Sequence, residues 1–361
     1  MIQPDVKNID LHFLIAKERT GSTLLFAILN SHPQILSTSE EPFFLYLNKK
    51  FKNVVFDNIK KVDLFFEYFW NIQENNLDLY YTNKKKAKES IIEISSEYIS
   101  KQGIIDYLSL CKIIYLHFLP QKKKDTVKII VDKQLKFAYH LNTIKNITPN
   151  SKFIFLVRDP KANVYSCCKR KIENTESVVY HSNVWKMYTS KVLNNNIEDS
   201  KKLIIHYEDL VNYPLKTLNK IYSFLNVPLI DSFSDYSKHF NEILNESSKQ
   251  ISQKFKNNLK DFHSGLLNPI DKKYLSEWKN NISDKNLNKI DKITFSNAKK
   301  LGYDSNESEI KLSIADWLFV FYSYLKKIVL LRIYYITPLS IKILIKKFKK
   351  TLIFQIISLT K

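Results

Sequence analysis

Short apolar runs alternate with longer stretches of helical period along the first two-thirds of the chain. Residues 11–16, 127–131, 152–157 and 203–206 are continuous and largely apolar. Such runs, bounded by polar residues, predict strands buried on both faces of a parallel sheet. Helical patterns follow at about 22–31, 137–146 and 214–226. His32-Pro33 closes the first of these, because proline cannot continue a helix. Four strands alternating with helices imply a mainly parallel sheet with right-handed crossovers.

Between the first two strands, residues 45–127 read as mostly helical, with an aromatic cluster at 64–70. The lysine triplets 84–86 and 122–124 are expected in exposed loops. Residues 231–310 read as polar and helical, with Trp278 and Leu301-Gly302-Tyr303 as packing and helix-end features. Residues 311–361 change character: they hold ten Lys/Arg and one acid, Asp316, among long apolar runs. Lys326, Lys327, Arg332 and Pro338 interrupt those runs, so a helix spanning a membrane is not expected. Two readings stand: an amphipathic segment at a membrane interface, or helices docked on the body.

The polar residues at the strand ends carry the chemistry. After the first strand comes Lys17-Glu18-Arg19-Thr20-Gly21-Ser22-Thr23-Leu24-Leu25. A polar turn with one glycine at a helix start offers free N–H groups, the positive dipole end and hydroxyls to an anion. Arg19 adds a donor fork suited to phosphate or sulfate. An ordinary helix cap and turn glycine would look the same. The four glycines, 21, 103, 265 and 302, are too far apart for G-x-x-x-x-G-K-[ST] or G-x-G-x-x-G. An ordinary nucleotide-phosphate loop and a dinucleotide fingerprint are therefore disfavoured.

The second strand ends in Asp132-Lys133-Gln134, and polar groups there point into the crevice of a parallel sheet. The third ends in Arg158-Asp159-Pro160, with Asp159 expected to cap the next helix. Ser166 lies two turns into that helix and faces Arg158 only if the helix start turns toward the site. The fourth strand leads into Tyr207-Glu208-Asp209-Leu210. Glu40 and Glu41, after the first helix, are candidate acid/base groups, although Ser39 and Pro42 also suit a helix start. His140 is a further titratable group.

Composition narrows the classes. The chain has 361 residues, 44% of them hydrophobic and 13% aromatic, enough for a large core and against disorder. The net charge of +20 suits an anionic partner, but the lysines are scattered rather than striped with aromatics, so nucleic-acid binding is not expected. Cys111, Cys167 and Cys168 form neither a disulfide framework nor a zinc spacing. With no signal peptide visible at the N-terminus, a cytoplasmic location is expected, peripheral at a membrane if the tail binds one.

Taken together, Arg19-Thr20-Gly21-Ser22-Thr23-Leu24-Leu25, Arg158-Asp159-Pro160-Lys161-Ala162 with Ser166, and Tyr207-Glu208-Asp209-Leu210 with Pro214 resemble the sulfotransferase family, in its carbohydrate-acting form, over about residues 11–305. The resemblance implies an α/β fold, a P-loop-like three-layer αβα arrangement with a helical insertion and a helical C-terminal tail. With the reading of the residues it gives a domain over 1–310, with 45–127 selecting the acceptor, and a tail over 311–361 that the resemblance does not cover. It implies 3′-phosphoadenosine-5′-phosphosulfate as sulfuryl donor, no metal, and a carbohydrate or glycolipid hydroxyl as acceptor. Arg19 and Thr20, Gly21, Ser22, Thr23 and Leu24 would hold the 5′-phosphosulfate. Arg158 and Ser166 would hold the 3′-phosphate, with Tyr207 near the adenine. Glu41 becomes the favoured base, with Glu40 its rival and His140 ranked below both. Lys133 would assist the leaving oxygen, although Gln134 and Leu135 depart from the family's pattern there.

Overall fold

The computed structural model describes residues 6–39, 43–77, 84–117, 126–230, 236–237 and 270–344. Strand β1 (Asp10–Ala16) leads into helix α1 (Ser22–Ser31) and strand β2 (Ile35–Ser39). A helical block follows: α2 (Phe43–Phe51), α3 (Ile59–Leu77), α4 (Lys84–Gln102) and α5 (Tyr107–His117). The chain then alternates: β3 (Ile129–Gln134), α6 (Leu141–Ile147), β4 (Phe153–Val157), α7 (Pro160–Lys169), α8 (Val178–Leu193) and β5 (Lys202–His206). It closes with α9 (Tyr207–Asn212), α10 (Pro214–Leu225), α11 (Asp284–Lys300), α12 (Ile314–Tyr324) and α13 (Leu331–Ile336).

The five strands form one parallel sheet in the order β2-β3-β1-β4-β5. Strand alternation builds the three layers. Leu11, Phe13 and Ile15 of β1, with Phe153, Phe155 and Val157 of β4, face a core shared with α2, α3, α5 and α8. Leu14 and Ala16, with Ile154 and Leu156, face the core shared with α1 and α10. A period of two on each strand therefore sends apolar side chains to both faces. The helical block after β2 supplies Phe43, Phe51, Phe65, Phe66 and Phe69 to the first core, so it is part of that layer.

After β1 the chain moves to one side of it, and after β3 it crosses to the other. The loops following β1 and β4 therefore flank the switch point, where parallel sheets open a crevice at their carboxyl ends. Tyr188 of α8 reinforces that edge: its hydroxyl donates to the carbonyls of Ile15 and Leu156, each at 3.0 Å.

Four local expectations are corrected. A fifth strand, β2, occupies residues 35–39, where no strand was expected. Among the described residues it pairs with β3 alone, and its hydroxyls are satisfied there: Ser37 donates to the Val131 carbonyl at 3.2 Å and Thr38 to Asp132 at 3.0 Å. Strand β3 begins later than expected and includes Asp132, Lys133 and Gln134. These pair with Phe13, Leu14 and Ile15 of β1 and are buried. Lys84, Lys85 and Lys86 open α4 rather than a loop, with Lys84 paired to Glu67 at 2.6 Å. The helix expected at 137–146 is a 3-10 turn, Phe137–Tyr139, then α6, with His140 at the junction. The triplet at 122–124 lies outside the described residues, as does most of 231–269.

Replacing Tyr188 with Phe leaves two buried carbonyls without this donor. The expected cost is about 1–3 kcal/mol, read as a lower denaturation midpoint with an unchanged slope.

Candidate active site

The loop after β1 is shaped by backbone conformation. Gly21 caps α1 at φ 86° with no side-chain cap, and Arg19 also sits at positive φ, 64°. A non-glycine residue there is strained and is held by its surroundings. The holding groups are visible. The Thr20 hydroxyl donates to the Lys17 carbonyl at 2.8 Å, and Asn163 of α7 donates to the Glu18 carbonyl at 2.9 Å. Lys17, buried, reaches the Cys167 sulfur at 3.3 Å. With Gly21 offering no side-chain acceptor, the first N–H groups of α1 remain available to a ligand.

Arg158 follows β4 across the same crevice and is 6% exposed. Its Nη1 donates to the Arg19 carbonyl at 3.0 Å and its Nη2 to the Tyr274 carbonyl. Its Nε is buried with no hydrogen-bond partner among the described residues. The guanidinium lies 4.5 Å above the centre of the Tyr207 ring. Trp185 fixes the Arg158 backbone from below, donating to its carbonyl at 2.9 Å. Asp159 caps α7 through the Ala162 N–H, as the sequence indicates, and burial raises its carboxyl to about 6.

The Ser166 hydroxyl accepts from Arg19 Nε at 3.0 Å. Ser166, Arg19, Arg158 and Tyr207 thus form one connected chain. Tyr207 also closes on Gly21, where a Cβ would meet its ring at 2.3 Å. Among the described residues, no carboxylate forms an ion pair with Arg19 or Arg158. Burial, and after it the nearby Arg170 and Arg158 charges, lower the Arg19 pKa. Two crowded, half-satisfied cations are costly in isolation, and a ligand with two anionic groups relieves both.

Lys133 is buried on the α1 face of β3, its Nζ 5.8 Å from the Phe26 ring centre. On the opposite face, Asp132 accepts from Tyr115 at 2.7 Å, Gln134 at 2.8 Å and Thr38 at 3.0 Å. Burial outweighs these donors and lifts its carboxyl to about 6. His140 packs against Tyr335 with ring centres 4.6 Å apart, and burial and then Lys342 lower it to about 4. Glu40 and Glu41 lie outside the described residues.

Sequence reasoning missed a clamp behind the loop. Lys327, 5% exposed and just beyond α12, reaches Glu18 at 3.2 Å and Glu173 at 2.8 Å. Burial alone would raise the Glu18 carboxyl, but Lys327 and Lys17 bring it down to about 2. Nothing in the local sequence marks a contact between residues 309 positions apart.

Arg19, Arg158, Tyr207 and the start of α1 thus meet at the switch point of a parallel sheet. A model of the family described as "Sulfotransferase family" matches residues 13–231, and the chain belongs to that family. A Drosophila melanogaster protein-tyrosine sulfotransferase is 24% identical over 281 residues, 75% of this chain and 47% of that protein. A Gallus gallus protein-tyrosine sulfotransferase 2 is 28% identical over 170 residues, 45% of this chain and 43% of that one. The chain therefore spans less than half the length of either relative. The fold is that of the sulfotransferase domain of the curacin biosynthetic pathway, with TM-score 0.52, 20% identity, and 82% of this chain and 99% of that one covered. The sulfotransferase domain of the Synechococcus PCC 7002 olefin synthase gives 0.51 and 18%, covering 84% and 99%.

Two outcomes are expected. Gly21→Ala forces the new Cβ into Tyr207 and destabilises the wild type by more than about 2 kcal/mol. The loss is smaller in a Tyr207→Ala background, where only the backbone strain remains, and a double-mutant cycle on unfolding free energies measures the difference. Lys327→Met removes the lysine paired with Glu18 and leaves Glu173 with Lys326 at 3.4 Å and the Tyr180 hydroxyl, and costs about 3 kcal/mol at pH 7. Glu18 has a folded pKa below its ordinary 4.5, so its stabilising share is complete above pH 4.5 and is lost as pH falls toward 2. Denaturation curves at pH 7 and pH 3 should show the gap between wild type and variant narrowing in acid.

Proposed function

We propose that this chain transfers a sulfuryl group from 3′-phosphoadenosine-5′-phosphosulfate to a hydroxyl. The observation that carries the reading is the pair of guanidiniums, Arg19 and Arg158, lining one crevice without a carboxylate among the described residues. The donor supplies a sulfuryl group activated by a phosphate leaving group. The N–H groups and hydroxyls from Thr20 to Leu24, with Arg19, hold the 5′ end. Arg158 and Ser166 hold the 3′-phosphate, and Tyr207 flanks the base. Arg19 and Lys133 stabilise charge gathering on the leaving oxygen, and Glu41 takes the acceptor proton. Positioning and charge stabilisation carry such a transfer, as in phosphoryl transfer.

The motifs alone suggest a carbohydrate or glycolipid acceptor, whereas the relatives are named for protein tyrosine. The similarity to the fruit-fly protein runs over three-quarters of this chain, so a tyrosyl phenol is the better-supported acceptor. We assign its selection to the helices between 45 and 127. The domain assignment follows: 1–310 carries donor and acceptor sites, and 311–361 is an accessory tail.

Transfer of labelled sulfuryl to a tyrosine peptide and to an oligosaccharide should favour the peptide. Glu41→Gln should keep donor-side affinity and lower turnover by about 10²–10⁴-fold. Unchanged turnover would remove Glu41 from the mechanism. A product formed only on the oligosaccharide would restore the carbohydrate reading.

A further inference from the structure

Helix α12 is turned inside out. The side chains it buries are polar: Asp316, Ser323 and, one turn past its end, Lys327, at 7%, 0% and 5% exposure. Their spacing of seven and four places them on one stripe. Each has a partner on the body: Asp316 with Lys289 at 2.7 Å, Ser323 with Asn183 at 2.8 Å, and Lys327 with Glu18 and Glu173. The opposite stripe is apolar and open to solvent: Ile314 (84% exposed), Trp317, Leu318, Phe321 and Tyr324. They recur at i, i+3, i+4, i+7 and i+10, the spacing that normally faces a core. Leu330, Ile333 and Ile336 continue the exposed apolar surface along the following turns.

We infer that this outward stripe is a docking face for an anionic lipid surface, with α12 lying in the plane of the interface. The body cannot cover the stripe, because the hydrogen bonds of the opposite stripe fix the helix's rotation. Charge selects the occupant. The acid of residues 311–361, Asp316, is paired with Lys289, while Lys311 and Arg332 are exposed beside the apolar face. Residues 345–361 add Lys346, Lys347, Lys349, Lys350 and Lys361 and no acid. A second copy would bring like charges together, whereas anionic headgroups match them. Trp317 and Tyr324 suit the boundary between acyl chain and headgroup. No helix among the described residues is long and apolar enough to cross a membrane, which fits a segment lying on the surface. The site is attached to this face, since Lys327 bonds Glu18 in the loop beside Arg19.

The test uses the full chain with phosphatidylcholine vesicles, with and without phosphatidylserine. We expect sedimentation with the anionic vesicles, weakened by salt, and a blue shift of tryptophan emission. A triple variant, Trp317→Ser with Leu318→Ser and Phe321→Ser, should lose vesicle affinity by more than about tenfold. Its melting temperature and its affinity for 3′-phosphoadenosine-5′-phosphate should match the wild type, because the replaced side chains are exposed and lie outside the donor site. Absence of vesicle binding, or equal binding by the triple variant, overturns the inference. So does a wild-type dimer in sedimentation equilibrium that the triple variant dissolves, which would make the stripe a contact between copies. The vesicle result stands apart from the proposed activity, because neither outcome requires turnover.

Discussion

The structure depends on placing two like charges, Arg19 and Arg158, in one crevice without a carboxylate to neutralise them among the described residues. Guanidiniums held this close repel and lose hydration. The surrounding residues compensate by fixing geometry. Arg158 donates to the Arg19 carbonyl, lies over Tyr207 and is anchored through Trp185, while Arg19 is tied to Ser166. Arg19 and Gly21 at positive φ shape the turn that leads into α1. Preorganised donors of this kind favour a ligand whose charge sits where the donors already point.

The fold was legible to the extent that its strands are buried on both faces. Strands β1, β4 and β5 are apolar runs without competing signals, and α1 agrees with its expected limits because Pro33 marks its end. Strand β2 was hidden because the hydroxyls of Ser37 and Thr38 are satisfied on β3. The start and end of β3 were misread because Asp132, Lys133 and Gln134 look like loop residues, and only Tyr115 and Thr38 from elsewhere make Asp132 tolerable inside. The loop residues and Arg158 were legible because charged residues at parallel-strand ends have few structural roles. The Ser166–Arg19 pairing was not, since it depends on how α7 is set against the β1 loop. The Lys327 clamp was invisible for the same reason: partners distant in sequence carry no local pattern.

The clamp and the inverted helix are two sides of one arrangement. Buried polar residues specify orientation where they are fully paired, and Asp316, Ser323 and Lys327 each have a partner on the body. Their pairing sets the rotation of α12, and that rotation leaves Trp317, Leu318 and Phe321 outside. The same lysine that orients the tail supports Glu18, whose carbonyl is held by Asn163. The anion loop therefore rests on α7 from one side and on the tail from the other.

In the proposed function Arg19 and Arg158 serve two separate anionic groups of one ligand. The direct measurement is calorimetric titration with 3′-phosphoadenosine-5′-phosphate beside adenosine 5′-phosphate, for the wild type and for Arg158→Ala. The bisphosphate is expected to bind the wild type more than about a hundredfold more tightly, about 2.7 kcal/mol, and Arg158→Ala to erase most of that difference. Equal affinity for the two nucleotides in the folded wild-type protein, or a preference that survives Arg158→Ala, would contradict it.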